Sequence, residues 1–132
     1  MLYTVNALGI YLHLSQANQR RGQLYARDRM LVLAGEIAAR MDFHELAAYC
    51  RSVILENNPR HIIRRWSSFS EAILDEDFET FAKQVWRRYP QEKAERLLSS
   101  FGLQMANERD AYYTDEEYAA AILGKTPDQL SD

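Results

Sequence analysis

Apolar residues recur along this chain at helical spacing and hardly ever alternate with polar ones. The first set, Tyr3, Ala7, Ile10, Leu14 and Ala17, is spaced four, three, four, three, and Val5, Leu8 and Leu12 widen it into a second stripe. Residues three and four apart stack on one side of an α-helix, so the period predicts a helix. It ends near Arg20, Arg21 and Gly22, cations and a glycine being C-terminal signals. A second helix carries Met30, Leu33, Ala34, Ile37 and Met41 inward, with Arg29, Glu36 and Arg40 on another side. In the third, Phe43, Leu46, Ala47, Cys50, Val53 and Ile54 trace the apolar face. Asp42 is expected to end the second helix and, with Glu45, to form a reciprocal cap at the start of the third, which Asn57, Asn58 and Pro59 close.

Pro59 is expected to open the next helical segment, with Ile62, Ile63 and Trp66 inward and Arg60, Arg64 and Arg65 outward. Ser68 and Glu71 suggest a further cap, so this stretch reads as one bent helix or two short ones reaching Leu74. Phe78, Phe81, Ala82, Val85, Trp86 and Tyr89 mark a helix stopped by Pro90. Ala94, Leu97, Leu98 and Phe101 mark another, ended by Gly102. Residues 103–113 have no clear pattern; Thr114 and Glu117 cap a last helix with Tyr118, Ala121 and Ile122 inward, ended by Gly124. The fold class is therefore all-α, in antiparallel helical hairpins, with one domain over 1–124 and a loose tail over 125–132.

An offset of thirty-five residues maps Asp42, Phe43 and Ala47 onto Asp77, Phe78 and Ala82, and small Gly35 onto small Ser70. A period of that length marks stacked helical hairpins. The run from Leu33 to Ala47, continuing to Pro59, resembles one tetratricopeptide repeat, most clearly over residues 29–59. In that family a small residue of the first helix packs on an alanine of the second, and a proline ends the unit; Gly35, Ala47 and Pro59 match in type and spacing. Val32, Ala38 and Arg51 stand where the family usually has aromatic residues, and the second copy keeps Ser70 and Ala82. The resemblance implies a right-handed superhelix whose first helices line a groove for a peptide or partner protein. Arg29, Glu36 and Arg40 would face it from the first unit, and Arg64 and Glu71 from the second. The family's peptide-carboxylate clamp is not implied, because Glu36 takes the expected asparagine position. A compact orthogonal bundle, with Gly35 and Ala47 permitting close helix contact, accounts for the same residues.

Composition narrows the function by exclusion. At 132 residues, 47% hydrophobic and 27% charged, the chain suits one self-folding globular core. The uncharged first nineteen residues lack a basic leader segment and are broken by Asn6, His13, Ser15 and Gln16, so they read as a buried helix rather than a signal peptide or membrane span. One cysteine, Cys50, has no partner for an intrachain disulfide, which points to a cytoplasmic protein. His13, His44 and His61 stand too far apart for a sequence-encoded metal motif, and no cofactor signature occurs. No nucleophile elbow or phosphate loop occurs either, and the acidic runs at 75–77 and 115–117 fit helix starts better than acid–base chemistry, so no catalytic residue is assigned.

Charge is polarised: residues 1–65 hold nine arginines against five acids, and 66–132 seven bases against fourteen acids, giving the net −3. These observations favour a non-catalytic protein–protein interaction or scaffold module. One alternative is a nucleic-acid regulator using Arg60, Arg64 and Arg65, opposed by the acidic pI of about 5.6. The other is a homodimer through the doubled stripe of the first helix at Tyr3, Ile10 and Leu14.

Overall fold

The computed structural model describes residues 3–103 and 108–130; residues 104–107 of the patternless stretch 103–113 and the last two residues of the expected tail lie outside them. Thr4 starts α1, Val5–Arg20, its hydroxyl accepting from the Ala7 amide at 3.1 Å. The helix ends in left-handed Gly22, with the Gln23 amide bonded back to the Asn18 carbonyl at 2.8 Å. This is the Schellman closure, and it recurs at Gly102 and Gly124. It also ends α2, Leu24–Arg40, where the left-handed residue is Asp42 at φ 62° and the Phe43 amide bonds to the Ala38 carbonyl. Asp42 thus terminates α2 and is not the expected cap of α3, His44–Asn57, whose cap position is Phe43. Aspartate tolerates this conformation better than most L-residues.

Pro59 lies in a turn and does not open a helix. His61 caps a single 3-10 turn, Ile62–Arg65, its Nδ1 accepting from the Ile63 amide at 3.0 Å. Burial holds the His61 imidazole below its ordinary pKa against the opposing pull of Asp28, consistent with a ring nitrogen kept free to accept. Ser68 then caps α4, the one-turn Phe69–Ala72. The segment that the thirty-five-residue offset aligns with α2 is therefore two single turns. Asp75 caps α5, Glu76–Arg88, and its carboxyl is held below its ordinary pKa first by the Trp66 indole N–H, then by the Asp77 amide. Pro90 leads into α6, Gln91–Ser100; a 3-10 turn at Glu108–Ala111 precedes α7, Asp115–Ile122, capped by Thr114 as expected. The tail differs from expectation. Pro127–Leu130 forms α8, and Leu130, 7% exposed, packs the core beside α3.

These helices make an all-α bundle around α2. From Met30 to Ala39 every residue of α2 is buried, because α1, α3, α4 and α5 all pack against it. A helix enclosed on all sides has no polar face to present. Next to it, α1 packs on α2, α6 and α7, which accounts for its two apolar stripes and its lack of charge before Arg20. Ile10 and Leu14 are buried within the single chain, so the first-helix stripe expected to mediate self-association is not a surface; it is occupied by the chain's own helices. Aromatic rings fill the other side, Trp66 and Phe69 meeting Phe78 edge-on at 5.4 and 6.1 Å.

The Phe69 ring lies directly on Gly35. A Cβ built there would come within 2.3 Å of the ring, so the close approach that Gly35 permits is that of Phe69. Alanine would normally stabilise a helix interior relative to glycine, but here the overlap decides the sign. Gly35→Ala is expected to lose about 1–3 kcal/mol through overpacking. Urea denaturation checks this, with Gly35→Ala/Phe69→Leu losing less than the two single changes summed.

Candidate functional site

The residues singled out from the sequence fall into different environments. Glu36 does not face a groove. Its side chain is 4% exposed, in the middle of the enclosed α2, because Trp86 of α5 and Tyr3 lie against it. There it accepts from three donors: the Trp86 indole at 2.8 Å, the Tyr3 hydroxyl at 3.1 Å and Arg40 Nε at 2.9 Å. The Arg40 guanidinium also lies 4.6 Å from the centre of the Tyr3 ring. Burial, then the Glu36 charge, raises the Tyr3 phenol above its ordinary pKa. The Tyr3 hydroxyl is thus engaged in an internal network, while its side chain stays half-buried. A carboxylate, an indole, a phenol and a guanidinium satisfy one another, as buried polar groups must.

Arg29 is half-buried on α2, while Arg64 and Glu71 are exposed on the two single turns. Arg29, Arg64 and Glu71 are not among the hydrogen-bond partners of Glu36 and Arg40. Of the basic patch, Arg60, Arg64 and Arg65 are all exposed. Arg65 is paired with Asp77 at 3.0 Å and lies over the Trp66 ring, so acid from α5 neutralises one of the three charges. A second buried pair, Arg27 with Asp28 at 3.1 Å, is tied to α3 through Asn57 and to α1 through Gln19. It staples the ends of the three longest helices.

A surface the sequence reading missed runs along the outer side of α3. A groove of about 570 Å³ is lined by His44, Glu45, Ala48, Tyr49, Ser52, Val53 and Glu56, with Leu130 of α8 beside them. Those α3 positions repeat at one and four residues and form the stripe opposite Leu46, Cys50 and Ile54, which face the core. Val53 was expected among the core residues; it is half-buried and borders the groove. The charged side chains of the lining are two carboxylates, and both are exposed. Beside them Lys125 reaches over the Tyr49 ring, 5.4 Å from its centre, so this face already attracts one cation. His44 bonds Ser70 at 2.9 Å. The spacing of Glu45, Tyr49, Val53 and Glu56, four, four and three, was the available signal for this face.

Reactive groups do not gather at the groove. Cys50 is fully buried beneath it, and burial pushes its thiol up to about 12, away from thiolate chemistry. Among the described residues, no three or more His, Cys, Asp or Glu side chains stand together to hold a metal ion. No helix of the described residues is long and apolar enough to cross a membrane. Compared with protein-family models, curated proteins and solved structures, the chain matches none.

The Glu36 network gives a direct test of these assignments. Glu36→Ala strands the Trp86 indole and the half-exposed Arg40, and is expected to cost about 2–4 kcal/mol. Glu36→Gln keeps an oxygen for the indole and should cost about half as much. Urea denaturation followed by tryptophan fluorescence measures both; equal losses would contradict the role given to the indole bond.

Proposed function

We propose that this protein is a non-catalytic interaction module that docks a basic amphipathic helix of a partner protein in the α3 groove. The observation that carries the reading is the lining itself. Tyr49, Val53, Ala48 and Leu130 supply an apolar floor, and the charges at its borders, Glu45 and Glu56, are both negative. From residue 44 to 56 the groove follows α3 for roughly 18 Å at 1.5 Å per residue, the length of about three turns of a partner helix. Apolar anchors at four-residue spacing would meet the floor, and lysine or arginine beside them the two carboxylates. Acidic borders also disfavour nucleic acid at this face.

The tetratricopeptide-like stretch at 29–59 corresponds to a single hairpin, α2 with α3, and the proposal needs only that hairpin. A cytoplasmic location accords with a lone, buried thiol. The test is a titration of the labelled chain with a fourteen-residue peptide of leucine and lysine at i, i+4 spacing, read by amide chemical shifts. Perturbations should map to α3 and α8, and Glu45→Lys/Glu56→Lys should weaken binding at least about tenfold, as loss of charge complementarity does. Equal binding of the matching leucine–glutamate peptide, or shifts confined to other helices, would overturn the proposal.

A further inference from the structure

A second cavity, of about 270 Å³, shares no residue with the α3 groove. Its walls come from α1, the 3-10 turn at 108–111 and α7, and its polar groups are His13, Glu108, Tyr112 and Tyr118. The Nε2 atom of His13 is buried and has no hydrogen-bond partner among the described residues. The Glu108 carboxylate lies 3.3 Å away, close enough to pair with a charged imidazole but misaligned for a hydrogen bond. Such an orphaned buried nitrogen is uncommon and calls for a partner. Beside it the Tyr112 and Tyr118 rings stand 5.9 Å apart, tilted at 53° to each other.

The charges around the cavity favour a cation. Glu108 is 48% exposed at the rim, and its neighbour Arg109 is occupied elsewhere, paired with Asp115 and donating to the Tyr112 carbonyl. No arginine or lysine lines this cavity. A carboxylate, an imidazole nitrogen able to accept and two aromatic faces together suit a planar guanidinium. It can give two parallel N–H bonds to a carboxylate and stack on a ring, whereas an ammonium is a point charge.

We propose that this cavity binds an alkylguanidinium group, its fork on Glu108, a further N–H on His13 Nε2, and its plane against Tyr112 and Tyr118. The group belongs either to a free small molecule or to an arginine side chain of a partner, and two probes separate these sources. Agmatine and the blocked tripeptide acetyl-Ala-Arg-Ala-amide are each titrated into the full chain, with the His13, Tyr112 and Tyr118 ring resonances followed by NMR. Shifts with agmatine assign the site to a free ligand, shifts with the tripeptide alone assign it to a partner's arginine, and either supports the proposal. Glu108→Gln, on an exposed turn, should weaken binding at least tenfold while far-ultraviolet circular dichroism stays unchanged. Putrescine, which has an ammonium in place of the guanidinium at the same total charge, should bind at least tenfold more weakly than agmatine. Absence of ring shifts with both guanidinium probes, or shifts that survive Glu108→Gln undiminished, would overturn it. Glu45→Lys/Glu56→Lys should leave the agmatine response intact, so this site and the α3 groove stand or fall separately.

Discussion

Everything in this fold follows from enclosing one helix completely. Ten consecutive residues of α2, Met30 to Ala39, lie out of water, and helices on four sides are needed to put them there. Burial at this scale is the main favourable term in folding, about 25 cal/mol for each Å² of apolar surface removed. It also sets strict conditions. A ring can approach closely only where there is no side chain, hence Phe69 over Gly35. The single carboxylate in the enclosed run must find its donors inside, hence Trp86, Tyr3 and Arg40 on Glu36.

That enclosure explains which parts of the structure were legible in the sequence. Helices were legible wherever apolar spacing and caps agreed: α1 to Gly22, α5 to Pro90, α6 to Gly102, α7 from Thr114 to Gly124. The residues misread were those whose role is set by distant parts of the chain. Glu36 sits seven residues from Arg29 and four from Arg40, so local spacing placed it on a wet face; only Trp86, fifty residues on, makes it a core residue. Asp42 ends α2 as expected, but Glu45 three residues later suggested that it also caps α3, whereas the left-handed backbone there passes that position to Phe43. Leu130 looked like part of a loose polar tail because nothing nearby in sequence says that α3 leaves an apolar position open. Of the candidate site, the helix bearing it was legible, but its outward stripe was not separated from its inward one.

Since the interior is committed to holding α2, binding capacity is left at the periphery. Helix α3 turns Leu46, Cys50 and Ile54 to the core, which leaves Tyr49 and Val53 half-buried between two exposed carboxylates. At the other end of the sequence α7 closes over His13 without satisfying it. Both places present carboxylates and aromatic surface, and the chemistry they share is affinity for cations.

The most direct measurement of the central claim is native-state hydrogen exchange at the α2 amides from Val32 to Ala39. If enclosure of α2 organises the fold, these amides exchange only through global unfolding, with a free energy equal to that from urea denaturation. Exchange of α2 through a smaller opening while α3 and α5 stay protected would contradict the account.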